Sequence, residues 1–462
     1  MTRITTLIIL IFLLFCVGCD DKNPAVSDTP TAKTIPKTEK NEIGKPVASP
    51  VASQKLPKDS VANTKTLLLH SPLNLKRYEF PSEALLSWYA LRKTRPALLL
   101  YSKAPFLQSV TPAMTKDLLE RLAKDEKSAM RFDTADPAIL PQMTVDAALQ
   151  AGFFSSVYWI IPSNSDASEL SIERFRQQMV AAGAMDREEA RLLTLNEGIF
   201  SGTARGVPFR ALHPNANFSI NGPVALHFDL SYFSPLYKSE IKTPLFPLVY
   251  QTLKHLRNQR LEAVDATFSY SQISGEVPLG SRFLGDIFAQ IFLAPELLDK
   301  PFPADWRQRA KALYLPELFN TSTAREALMQ LQSSHPEDPS LDYALYQISR
   351  QSRSIRHEAL NHLADAVQLD PVYATEHLYL ARLAREKGRP AEATHVLQLA
   401  AAARPDNPFV TLELARALIA DGQTEEAASL LKQLQGLRWS KQFYPAMPSF
   451  LEKLHADAVG SQ

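Results

Sequence analysis

From residue 340 onward the sequence repeats itself every 34 residues, with units beginning at Ser340, Ala374 and Pro408. The eighth positions hold Gln347, Ala381 and Ala415, the twentieth hold Ala359, Ala393 and Ala427, and the twenty-fourth hold Leu363, Leu397 and Leu431. A period of this length marks a supersecondary unit that buries its apolar face only by stacking on its neighbours. Alanine at two of these positions lets paired helices approach closely. Gly388 and Gly422 stand where a first helix must stop, in the left-handed conformation that glycine adopts without penalty. Pro371 and Pro405, beside Asp370 and Asp406, stand where the second helix cannot continue. The spacing predicts an all-α stack over residues 336–462, with a closing helix at residues 450–456.

These units resemble the tetratricopeptide repeat. The first is the most degenerate, with Arg350 where an aromatic is usual, and terminal units of such stacks commonly deviate because they cap it. The resemblance implies a groove that holds a protein or peptide partner.

At the other end, Arg3 precedes an apolar run over residues 7–15, and Cys16-Val17-Gly18-Cys19 follows at once. A permanent transmembrane helix needs about 20 apolar residues, so the run has the dimensions of a secretory signal. Gly18 before Cys19, with an apolar residue before that, resembles the lipobox of bacterial lipoproteins. The resemblance implies a signal peptide over residues 1–18, cleavage before Cys19, and acylation of that cysteine. An ordinary signal peptide with a chance cysteine is the alternative. Asp20 resembles the retention signal of enterobacterial-type lipoproteins. The expected location is therefore the cell envelope, anchored in the bilayer on the periplasmic face of the inner membrane.

Residues 19–65 read as a lipidated cysteine and a disordered tether. After Cys19 the segment is rich in Pro, Thr, Ser and Lys and has no aromatic residue, so it cannot bury enough apolar surface to offset the entropy of ordering. As a coil its 46 residues reach about 35–40 Å.

Composition narrows the remaining classes. The chain is 462 residues long, enough for two or three domains, and 45% hydrophobic. Its formal charge is +1, and loss of Arg3 with the signal leaves 49 basic against 49 acidic residues. Nothing in that balance argues for nucleic acid. The cysteines are Cys16 and Cys19 alone, so the mature chain has neither a disulfide nor a cysteine zinc site. Glycine is scarce, and neither a phosphate loop nor a Gly-x-Ser-x-Gly elbow occurs.

Residues 66–335 alternate between strand and helix patterns. Strands are expected at residues 66–70, 96–101, 155–162, 223–230 and 261–270. Helices are expected at residues 82–92, 115–128, 172–182, 247–257 and 280–293. This alternation predicts an α/β domain with a largely parallel sheet. The best candidate for chemistry is the strand ending Leu226-His227-Phe228-Asp229-Leu230-Ser231, because open α/β sheets bind ligands beyond the carboxyl ends of their strands.

Several segments resemble an uncharacterised bacterial family related to arginases and deacetylases. They are Ala84-Leu85 with Trp88, Pro96-Ala97-Leu98-Leu99-Leu100, Tyr158-Trp159-Ile160-Ile161-Pro162, Asp229-Leu230-Ser231-Tyr232-Phe233 and Ser269-Tyr270-Ser271. The likeness covers residues 80–295 and implies an arginase/deacetylase-like sheet with metal ligands at its strand ends. The departures argue against metal chemistry. Where the family has an Asp-x-His-x-Asp run this chain has Tyr101-Ser102-Lys103, and where it has a second aspartate this chain has Ser231. Asp229 remains, with His227 as a possible companion, too few anionic ligands to hold a dication and activate its water. The ligand-cleft candidates are Asp229, His227, Ser231 and Lys103. No residue is assigned a catalytic role, and no metal ligand or cofactor is expected. The function expected is a membrane-anchored, non-enzymatic interaction module. A hydrolase of amide-type bonds with Asp229 as a remnant ligand, or small-ligand binding in the same cleft, are the alternatives.

Overall fold

The computed structural model describes residues 66–164, 166–273, 275–351 and 356–460. Cys19, the signal-like segment and the tether lie outside the described residues. An eight-stranded sheet is formed by β1 (Lys76–Tyr78), β2 (Ala97–Tyr101), β3 (Ser156–Ile160), β4 (Thr194–Asn196), β5 (Ile199–Ala204), β6 (Val207–Leu212), β7 (Val224–Asp229) and β8 (Ala263–Ser269). Their order is β1-β8-β7-β2-β3-β6-β5-β4. From β1 across to β6 all pairings are parallel, and β6-β5-β4 continues as an antiparallel edge.

The helices of this half are α1 (Ala84–Trp88), α2 (Pro112–Ala123), α3 (Thr144–Gln150), α4 (Ile172–Ala181), α5 (Arg187–Arg191), α6 (Leu245–Asn258) and α7 (Leu284–Leu293). They cover both faces of a sheet whose central strand is buried throughout. In β2, Leu98 and Leu100 pack with Val157, Trp159 and the α2–α3 side chains. Ala97, Leu99 and Tyr101 point the other way, towards Leu226, Phe228 and the α6–α7 side chains. This two-sided burial explains why β2 is an unbroken apolar run with no polar alternation.

Three local expectations differ from what is found. Residues 66–70 form no strand: Leu67 makes a single bridge to Glu262 and the chain turns, with Leu69 at φ 56°. The helix expected from residue 115 starts at Pro112, where Thr111 caps it by accepting from the Met114 N–H at 3.3 Å, and it ends at Ala123. β1 is an addition to the expected strands, as is the β4-β5-β6 edge. The edge's two turns centre on Glu197-Gly198 and Arg205-Gly206, both residues of each pair having positive φ, the geometry of two-residue hairpin loops.

The second half is helical. It comprises α8 (Ala304–Tyr314), α9 (Thr321–Ser334), α10 (Pro339–Gln351), α11 (Arg356–Leu369), α12 (Thr375–Glu386), α13 (Pro390–Ala403), α14 (Pro408–Ala420), α15 (Thr424–Gln435) and α16 (Met447–Gly460). Helices pack in sequential pairs, α10 with α11, α12 with α13 and α14 with α15, and α16 closes on α15. The α8–α9 pair, which falls in the expected α/β part, packs on α10 through Ala324, Leu328, Leu331, Leu341, Leu345 and Ile348. The layering therefore begins one helix pair before Ser340.

Connections between helix pairs seat this stack on the sheet half. Asp370, between α11 and α12, pairs with Arg282 at 2.6 Å, and Arg282 also holds Glu79 at 2.5 Å. Arg404, between α13 and α14, pairs with Asp133, both almost fully buried. Beyond α15, Ser440 N–H donates to Ala135 O at 2.9 Å, Tyr444 Oη donates to Phe132 O at 2.9 Å, and Phe443 enters the sheet core.

Candidate functional site

The chain reverses its course across the sheet at β2, which has β3 on one side and β7 on the other. Strand-end ligand sites form at such switch points. Asp229, the last residue of β7, is fully buried. One carboxylate oxygen accepts the Ser231 N–H at 3.0 Å. The other accepts the Ser271 hydroxyl at 2.6 Å and the Ser269 hydroxyl. Ser271 sits at φ 52° to do so. Burial raises the Asp229 carboxyl above its usual range, and the serine donors oppose that rise.

His227 lies one pleat below, also fully buried. Its Nε2 is 3.0 Å from Ser269 Oγ and its Nδ1 is 2.9 Å from Thr267 Oγ1. Thr267 Oγ1 also lies 3.1 Å from Leu226 O, so its one proton serves either that carbonyl or Nδ1, and the Ser269 hydroxyl donates to Asp229. Burial pushes the imidazole down to about 3, which keeps it neutral. The arrangement resembles a nucleophile triad only in composition, because Ser269 and His227 are fully buried.

Ser231 is buried and accepts the Lys103 N–H at 3.3 Å. The Lys103 side chain is exposed. The four candidates therefore do converge, through a main-chain group in the case of Lys103. They tie the ends of β2, β7 and β8 together. Asp229 accepts from three donors, the arrangement of a strand-end carboxylate that fixes a loop.

A cleft of about 280 Å³ opens beyond the same strand ends, lined by Tyr101, Asn164, Asp166, Asn215, Gln251 and His255. Asp229 is not among its lining residues. Sequence reasoning misses these residues because they come from separate loops and from α6, with no local spacing to join them. The amides of Asn164, Asn215 and Gln251 share this lining with Pro214, Leu236 and Leu248.

In the repeats, Ala359, Ala381, Ala393, Ala415 and Ala427 are buried, as are Leu363, Leu397 and Leu431. Gly388 and Gly422 have φ 67° and 78° after α12 and α14. Pro371 starts the turn into α12, and Pro405 follows α13. Gln347, the exception at the eighth position, is half-buried against Gly280 of the sheet half. Arg350, the other exception, donates to Glu376 at 2.7 Å, where the Tyr343 and Tyr346 hydroxyls also donate at 2.7 and 2.8 Å. This joins the first and second units by a carboxylate where regular units would use an aromatic.

The first helices of the second and third units expose a polar face. It carries Tyr379, Arg382 and Arg385 from α12, and Glu413 and Arg416 from α14. Arg382 lies over the Tyr379 ring at 5.2 Å, and Arg385 reaches Glu413 at 2.8 Å.

Comparison with known proteins places the helical half in context. The tetratricopeptide repeat family matches residues 384–436. A solved structure from Thermus thermophilus, a thermophilic tetratricopeptide repeat protein, is 21% identical, with 40% of this chain and 98% of that one covered at a TM-score of 0.20. No curated protein matches the chain. By the family match, the C-terminal half carries tetratricopeptide repeats, which support a protein-interaction module.

Proposed function

We propose that the chain is a membrane-anchored, non-enzymatic interaction protein whose repeats hold a protein or peptide partner. The observation that carries the reading is the face formed by Tyr379, Arg385 and Arg416, which are exposed, with the half-buried Arg382 among them, while the connections between repeats are occupied by the sheet half. Partners of such stacks lie along exposed helix faces, and arginine with tyrosine is the pairing enriched at interaction hot spots. Capture of partners from solubilised membranes tests it. The Arg382→Glu/Arg385→Glu variant should lose the partners recovered with the wild type while keeping its melting temperature. An unchanged set of partners would refute the reading.

Anchoring rests on the residues around Cys19. Acyl chains contribute about 0.8 kcal/mol per buried methylene, so two or three chains hold a protein on the bilayer. Among the described residues no helix is long and apolar enough to cross a membrane, so the proposed attachment is the lipid. Cys19→Ala should accumulate as precursor or be released. Recovery of that variant with membranes at the mature mass would refute lipidation. Recovery of the wild type in the outer membrane would refute the inner-membrane assignment drawn from Asp20.

The α/β half is read as an arginase/deacetylase-like platform without metal chemistry, supported by the saturated hydrogen bonding of Asp229. The amide-lined cleft favours a second reading, binding of a small polar ligand without turnover. Hydrolysis of amide bonds that disappears in Asp229→Asn would instead favour the hydrolase alternative.

A further inference from the structure

The first repeat brings together three side chains that neither the repeat packing nor the partner face uses. His362 and Asp365 stand three residues apart on α11, a spacing that puts both on one face of the helix. Asp342 faces them from α10. One donor atom from each lies within 4.8 Å of the other two. We propose that Asp342, His362 and Asp365 form a binding site for one zinc-type divalent cation that clamps the two helices of the first repeat.

Four observations carry this. Asp342 is 2% exposed and faces Asp365. Among the described residues neither carboxylate has a cationic partner, so the buried Asp342 lacks the counter-charge that a buried carboxylate needs. His362 Nδ1 is buried and has no hydrogen-bond partner. The Gln332 side chain of α9 donates to Asp342 Oδ1, the outer contact that orients a ligating carboxylate. The neighbouring cation, Arg325, whose charge reaches His362, is ion-paired with Glu358 at 2.6 Å.

The donor set selects the ion. One imidazole and two carboxylates contain no thiolate, which excludes soft-metal sites, and too few oxygens for calcium. Three protein ligands with water in the fourth position is a familiar arrangement for zinc. The two carboxylates balance its charge. The site would compensate for the degeneracy of this unit, where Gln347 and Arg350 replace the usual packing residues.

The test uses the full chain stripped of metal by chelator and titrated with zinc against a chromophoric chelator. One zinc per chain is expected, with a rise in melting temperature. His362→Ala should lower affinity by about 100-fold and Gln332→Ala by about 10-fold. Asp365 is exposed, so Asp365→Asn keeps the fold and should also abolish stoichiometric binding. His335→Ala, outside the cluster, should bind like the wild type. Cobalt should give the strong visible bands of a four-coordinate site. Absence of uptake, retention of stoichiometric zinc in Asp365→Asn, or a cobalt spectrum like that of the free ion would each overturn the proposal. The partner-capture experiment on Arg382 and Arg385 reads a different surface, so either result can fail without the other.

Discussion

At the carboxyl end of β7 one buried carboxylate gathers its partners from segments about 40 residues apart, with Ser269 and Ser271 coming from the end of β8. In the repeats, by contrast, the close contacts of the twentieth and twenty-fourth positions recur every 34 residues with the same residue type. The strand end is unique in the chain and is assembled by topology. The stack is assembled by local hairpins, and its stability comes from repeating one interface. Polar groups follow the same division. Those at the strand end are saturated internally and face no solvent, whereas Arg385 of α12 and Glu413 and Arg416 of α14 form ion pairs at the surface. A surface of the second kind can exchange its ion pairs for contacts with a partner. A saturated carboxylate can exchange its bonds only by giving up structure.

The largest effect is expected where the two regions meet. Arg404 and Asp133 are 6% and 4% exposed, and Arg131 and Asn407 also reach Asp133. Removing the carboxylate leaves the buried Arg404 charge unbalanced, which costs about 3–5 kcal/mol, whereas Arg131 still balances Asp133 when Arg404 is lost. Asp133→Ala should therefore lower stability by that much in chemical denaturation. A loss below about 1 kcal/mol would mean that the stack is held to the sheet by its other connections alone.

How much of this was legible in the sequence follows from the same contrast. The positions of Ala381, Ala393, Ala415, Ala427, Gly388 and Gly422 were readable because helix pairing imposes one rule at a fixed spacing. The buried strands β2, β3 and β7 were readable as apolar runs bounded by prolines or glycines, and β8 as a run without such bounds. The β4-β5-β6 edge was not, because Glu197-Gly198 and Arg205-Gly206 lack the Asn-Gly or Asp-Gly signature of tight hairpins. Nor was the α8–α9 pair, which carries the stacking geometry without the alanine and glycine spacing. Asp229 was singled out correctly as a strand-end residue, but its three donors come from residues whose proximity depends on the parallel pairing of β7 with β8. The cleft beside it draws on several loops and left no trace in any local pattern.

Asp229 itself offers the next test. Asp229→Ala would strand the Ser269 and Ser271 hydroxyls and the Ser231 N–H in a dry site, at a cost of about 3 kcal/mol. Asp229→Asn keeps an acceptor oxygen and should cost less. If the two variants were equally stable, the carboxylate would not be the knot described here. Overpacking in the repeats should follow, at about 1–3 kcal/mol. Ala393→Leu and Ala427→Leu occupy equivalent fully buried positions, so their losses should agree closely. Effects at both sites within about 0.5 kcal/mol, typical of surface changes, would show that the pairing register is misplaced.

The smallest expected effect concerns acid stability of the stack, where a buried imidazole replaces the buried carboxylate of the sheet half. His377 on α12 is 5% exposed, and its Nδ1 has no hydrogen-bond partner. Burial, with a smaller contribution from His395, pushes it down to about 4 from an ordinary value of 6.5. The folded chain therefore keeps this ring neutral while the unfolded chain takes up a proton as pH falls below about 6.5. Stability should be lost progressively between pH 6.5 and pH 4 and change no further from this group below that. Glu83, raised to about 7, and Asp342, raised to about 6, act in the opposite sense, since burial favours their protonated forms. The comparison that isolates His377 is therefore the difference between the wild type and His377→Gln across that range. At pH 5.5 the variant should have lost less stability than the wild type, by on the order of 1 kcal/mol. Parallel pH profiles for the two proteins would show that the ring is hydrated enough to titrate normally, and that this part of the stack is looser than its alanine contacts imply.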